Sequence, residues 1–124
     1  FIDTPDGPVA VEELEEGMSV WTRDPDGSRK VVPVLRTVKT PVPPGYWCIH
    51  LRLADGREIS ASLGHPTLDN RTLGMLYAGD ELDGGVVAGT EMVFSGGGCT
   101  YDILPAGDTG SYWANGILLK STLL

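Results

Sequence analysis

Basic residues are scarce in this chain: nine Lys and Arg stand against 17 Asp and Glu over 124 residues, a formal charge of −8. Attraction to phosphate dominates nucleic-acid affinity and also draws proteins to anionic lipid, so this balance sets aside both nucleic acid and membrane surfaces as partners. Cysteine is nearly missing too. Cys48 and Cys99 alone cannot make a disulfide framework, and a chain of this length buries roughly two-thirds of its unfolded surface without staples. Long apolar runs are absent: Val31-Val32-Pro33-Val34-Leu35 falls far short of the ~20 residues that a membrane-spanning helix needs. No basic stretch followed by an apolar one opens the sequence, so no leader peptide is expected, and nothing assigns a compartment. Helical periodicity is also lacking, since no window keeps apolar residues at that spacing for three turns.

What the chain does have is punctuation. Its 17 glycines and nine prolines recur every few residues between short apolar runs, which predicts an all-β protein folded as one domain over residues 1–124. Pro5-Asp6-Gly7, Pro25-Asp26-Gly27 and Ala54-Asp55-Gly56 are similar turns, each flanked by residues able to pair as strands. Asp55-Gly56 is read as a tight two-residue turn, because both residue types accept positive φ. Asn115-Gly116 predicts a second hairpin between Ser111–Ala114 and Ile117–Leu119. The run from Val11 to Gly17 fits one short helical turn closed by glycine, its glutamates forming a solvated face. Pro41–Gly45 reads as a stiff loop. Trp21, Trp47, Tyr112 and Trp113 read as core or edge-packing aromatics. The repeated Asp-Gly turns suggest an internal duplication.

One histidine has an unusual setting. In Ser62-Leu63-Gly64-His65-Pro66-Thr67-Leu68 the proline biases His65 toward extended backbone, and the glycine leaves room for another main chain to approach. Such a side chain is presented. Cys48 and His50, two apart on one strand face, would need both His65 and Cys99 to complete a tetrahedral zinc site, and no known ligand spacing supports that set. Cys48 and Cys99 are more simply a disulfide pair or small buried groups.

Three segments in order resemble one family. "DTPDGPVAVEELEEGMSV" looks like the first block of the hedgehog/intein (Hint) self-processing domains, "SLGHPTL" is similar to their Thr-x-x-His block, and "TYDILPAGDTGSYWANGILLK" resembles their last block. The resemblance spans nearly the whole chain and implies a compact, horseshoe-like all-β fold with pseudo-twofold halves.

Hint domains turn the peptide bond ahead of a cysteine or serine into a thioester or ester, and the departing amide nitrogen must gain a proton. Imidazole suits that task because its pKa lies near neutrality, and the resemblance assigns it to His65. Ser62 stands at the block threonine and keeps a hydroxyl for the scissile peptide or its oxyanion. Asp102 stands at the aspartate that assists proton transfer. One pocket then holds both side chains if "SASLGH" and "CTYDIL" lie side by side.

Two departures narrow the activity. The family nucleophile precedes the Thr-Pro-Asp-Gly turn by several residues, which places it upstream of Phe1. Lys120 and Ser121 occupy the positions of the terminal His-Asn of splicing members, and neither can cyclise to a succinimide, so splicing is not expected. The implied activity is N-terminal cleavage in cis of the flanking polypeptide, with water, a thiol or an alcohol as acceptor. It needs no cofactor or metal, and a monomer suffices. The competing reading is an inert Hint-fold binding or spacer module, or an unrelated β-barrel in which His65 and Asp102 are far apart.

Overall fold

A computed structural model describes residues 1–94 and 98–123, which are almost entirely strand and turn. At the front, β1 (Ile2–Thr4) turns into β2 (Gly7–Val9), and a 3-10 turn at Val11–Glu13 leads to β3 (Ser19–Arg23) and the long β4 (Arg29–Val42). Two central hairpins follow, one of β5 (Trp47–Leu53) and β6 (Glu58–Ser62), the other of β7 (Glu81–Leu82) and β8 (Gly85–Phe94). The chain ends with β9 (Gly98–Pro105), β10 (Ser111–Ala114) and β11 (Ile117–Lys120).

These strands form three sheets, ordered β11-β10-β1-β2, β3-β4-β9 and β6-β5-β8-β7. The first joins the two ends of the sequence, because Ile2 pairs with Ala114. The second bends where β4 leaves β3 and takes up β9. There Val34 faces Pro105 and Arg36 faces Leu104, so Leu35 is an extra residue, and such a bulge kinks and twists its strand. A shared core of alternating apolar residues lies between the sheets, with Val20, Val34, Leu51, Leu73, Ile103, Ile117 and Leu119 essentially without exposed surface.

Turn chemistry explains the hairpins, with one correction. Asp55-Gly56 is not a two-residue turn: Leu53 N–H donates to Arg57 C=O, Gly56 N–H to Leu53 C=O, and of this loop only Gly56 has positive φ (97°). This is a three-residue loop, a type I turn closed by a left-handed glycine, which suits the twist of the flanking strands as well as a tight turn does. Asp24–Ser28 repeats the same pattern, with Gly27 N–H on Asp24 C=O and Asp24 N–H on Ser28 C=O. Asn115-Gly116, as expected, and Asp83-Gly84 are two-residue turns in each of which both residues have positive φ. The stiff loop is shorter than expected, since Pro41 and Val42 pair with Cys99 and Gly98 as the end of β4.

The aromatics divide between core and edges. Trp47 stacks on Phe94, its cross-strand partner at one end of the β5–β8 ladder. Trp21 and Trp113, both half-buried, hold the Arg29 guanidinium between their rings, 4.8 and 4.5 Å from its carbon. Tyr112 alone among these four is fully enclosed.

Candidate functional site

His65 follows β6 at a tightly tied corner. Its N–H donates to Ser62 C=O (3.1 Å) and its C=O accepts from Leu73 N–H (3.0 Å). The next residues are pinned to the last hairpin: Lys120 N–H donates to Pro66 C=O (3.1 Å), and Thr67 bridges to Leu119. His65 therefore sits beside β10 and β11 with only 8% of its surface exposed.

Asp102 lies on β9, paired with Val38 of β4. The expected neighbourhood of "SASLGH" and "CTYDIL" is not a strand pairing, because β6 pairs with β5 and β9 with β4. The two segments meet through Tyr112, whose hydroxyl donates to Asp102 Oδ1 (2.6 Å) and lies 3.2 Å from His65 Nε2. Register decides this, since Tyr112 opposes Leu119 on the hairpin to which the His65 loop is tied. Asp102 Oδ1 also accepts from Ile103 N–H (2.8 Å), and Oδ2 accepts from Thr122 N–H (2.7 Å) and the Thr122 hydroxyl. The chain Thr122–Asp102–Tyr112–His65 is thus continuous. Of its members, Tyr112 was read from the sequence only as a packing aromatic, and Thr122 carried no local signal at all.

Ser62 stands opposite Cys48 across the β5–β6 ladder, and its hydroxyl accepts from Tyr46 OH (3.1 Å). Ser62 and His65 line one cavity of about 280 Å³ together with Phe1, Ile2, Cys48 and Cys99. A second cavity shares Ser62 and His65 and adds Asp102, Thr122 and Leu123. Phe1 is held at the mouth, where Asn115 N–H donates to its C=O (2.8 Å). Lys120 closes β11 and Ser121 follows it: Lys120 Nζ donates to Asn70, and the buried Ser121 N–H to Gly110 C=O. The cysteines are not joined, each being a free, half-buried thiol. Among the described residues no three His, Cys, Asp or Glu side chains gather as metal ligands, so Cys48, His50, His65 and Cys99 do not assemble. His50 Nδ1 instead meets Ser60 Oγ at 2.7 Å.

Burial sets the protonation of the site. It holds the His65 imidazole below its ordinary value of 6.5, while the charge of Asp102 and the Lys120 backbone carbonyl pull it partly back. Burial, then the Asp102 charge and hydrogen bond, push Tyr112 well above 10.0. At neutral pH the pair is a neutral imidazole beside a neutral phenol. The unfolded chain binds a proton on His65 at about 6.5 and the folded chain resists it, so this stability is complete above about pH 6.5 and is lost as pH falls through the lowered folded value. Urea midpoints at about pH 7.5 and pH 5 should fall further for the wild type than for His65→Gln. Equal falls would contradict the assignment.

Comparison with known proteins bears on the fold. No family model and no curated sequence matches the chain. Solved structures do. The bacterial intein-like domain from Clostridium thermocellum superposes with a TM-score of 0.82 at 23% identity, covering 96% of this chain and 92% of that one. A DnaB intein from Synechocystis sp. PCC 6803 gives 0.75 at 19% identity, covering 98% and 93%. The gp41-1 intein gives 0.72 at 22% identity, covering 96% and 91%. The chain has the intein (Hint) fold.

Proposed function

We propose that residues 1–124 form one Hint domain that cleaves, once and in cis, a peptide bond in the polypeptide preceding Phe1. The observation that carries this reading is the placement of a buried imidazole, linked through Tyr112 to a carboxylate, on the cavity that also receives Phe1 and Ile2.

A cysteine or serine several residues before Phe1 attacks the carbonyl carbon of the residue ahead of it. The new C–S or C–O bond forms, the C–N bond breaks, and the thiol or hydroxyl proton must end on the freed nitrogen. A neutral His65 can take that proton and hand it over, so no proton from solvent is consumed. The Asp102 charge favours the transient imidazolium, and the Ser62 hydroxyl is available to the oxyanion. Water, a thiol or an alcohol then releases the acyl group. With Lys120 and Ser121 in place of His-Asn, the C-terminal cut that splicing requires has no side chain to make it. The domain acts as a monomer and needs no cofactor.

The test is a precursor carrying the natural residues upstream of Phe1 behind an N-terminal tag. Hydroxylamine or a thiol is expected to release the tag, with mass spectrometry placing the cut immediately before a cysteine or serine. An intact precursor after such treatment would leave the Hint fold as an inert binding or spacer module.

A further inference from the structure

Phe1 and Asn115 form one more rung beyond the Ile2–Ala114 pair, and half of that rung is made by a side chain. Antiparallel residues of the hydrogen-bonded kind exchange two main-chain bonds. Here one of them is present, Asn115 N–H to Phe1 C=O at 2.8 Å. Asn115 already lies in the turn, at φ 50°, and the second bond comes from its side chain, whose Oδ1 accepts from the Phe1 nitrogen at 2.8 Å. The other half of the same amide reaches β6, where Nδ2 donates to Glu58 C=O at 3.1 Å. These partners fix the orientation of the amide, since a flipped one would set N–H against N–H and oxygen against oxygen. Strands β1 and β6 belong to different sheets. Asn115 thus ties the front of the chain to the strand that carries Ser62 and leads to His65.

We infer that the Asn115 side chain is a positioning group that fixes, relative to β6, the direction in which the polypeptide before Phe1 enters the cavity lined by Phe1, Ser62, His65 and Asn115. In the precursor the Phe1 nitrogen is a peptide N–H, and Oδ1 accepts its single proton. Strand residues advance about 3.3 Å each, so a swing at Phe1 grows along the several residues that separate it from the attacking cysteine or serine. A misplacement of about 1 Å costs a positioned reaction about a hundredfold. The role in cleavage rests on the function proposed above; the clamp on Phe1 does not.

Asn115→Gly removes the side chain and leaves the turn, because glycine accepts the same positive φ. Amide exchange followed by NMR in the tagged precursor, without thiol, is expected to show Phe1 N–H protected in the wild type and exchanging about tenfold faster or more in Asn115→Gly. The Tyr112 and Leu119 amides of the β10–β11 ladder should keep their protection, which separates the clamp from the fold. Asn115→Asp retains an acceptor for Phe1, so its Phe1 amide should exchange more slowly than that of Asn115→Gly. Thiol-induced release from Asn115→Gly should slow by about tenfold or more. Phe1 exchange unchanged in Asn115→Gly, or as fast in Asn115→Asp as in Asn115→Gly, would overturn the clamp; an unchanged release rate beside faster Phe1 exchange would overturn its role in cleavage. A wild-type precursor that never releases its tag, with Phe1 protected through Asn115, would count against the proposed function alone.

Discussion

Replacing His65 by glutamine in the tagged precursor is expected to slow thiol-induced release by about 10²–10⁴-fold, the usual contribution of a positioned acid–base group. Glutamine keeps polarity and approximate size but cannot carry a proton from an attacking thiol to an amide nitrogen. Conversion of an amide to a thioester is uphill, so the thioester is present only transiently. Without a proton on the nitrogen the amine departs as a poor leaving group, and the intermediate returns to amide. Tertiary position makes the effect specific to one histidine. His50 of β5 is bound to Ser60 of β6, outside the His65–Tyr112–Asp102 chain, so His50→Gln should release the tag at the wild-type rate. The measurement is the rate of tag release by mass spectrometry over pH. Similar rates for His65→Gln and wild type would remove His65 from the chemistry.

Arg57→Met is expected to lower stability by about 2–3 kcal/mol, the sum of a few part-buried hydrogen bonds to a charged donor. Arg57 leaves the β5–β6 loop and clasps two other hairpins. Nη1 donates to Asp83 Oδ2 (3.0 Å) and Gly116 C=O (2.9 Å), and Nη2 donates to Asp83 C=O (2.9 Å). Asp83 Oδ2 also receives Leu118 N–H at 3.0 Å. Three turns are thereby fastened at one point, and the fit is close: a Cβ on Gly85 would come within 2.8 Å of the guanidinium. Methionine fills much of the same volume and supplies no donor. The contact of Arg57 with Asp55, whose side chain is 44% exposed, adds little, since solvent screens it. Asp55→Ala should therefore move the urea midpoint far less than Arg57→Met does. Urea midpoints at constant slope read both values; equal losses from the two variants would refute the clasp.

The clasp also couples distant parts of the chain. Gly116 belongs to the hairpin that carries Tyr112, and Leu118 follows it on β11. Loosening Arg57 should loosen the strand that holds Tyr112 against His65 and Asp102. The fold thus supports its candidate site from the turn of the last hairpin.

What this sequence determined by itself was local. Asp-Gly and Asn-Gly pairs specify turns because few other residues accept positive φ, so most hairpins were legible; Asp83-Gly84 carries the same signal but was not among the turns read from the sequence. His65 between glycine and proline stood out for a similar reason, as a corner where backbone choices are few. Whether a turn has two residues or three was not legible, because Asp-Gly serves both. Tertiary structure alone decided the contacts that run between segments far apart in the chain. Tyr112 and Trp113 are adjacent aromatics on one strand, alike in composition and opposite in direction. Only the pairing of Ile2 with Ala114 and of Tyr112 with Leu119 turns the tyrosine inward to His65 and Asp102 and leaves the tryptophan to Arg29. Thr122 and Arg57 act in the same way, through partners that register and sheet packing bring to them, and hydrogen bonds of that kind leave no mark in the neighbouring residues.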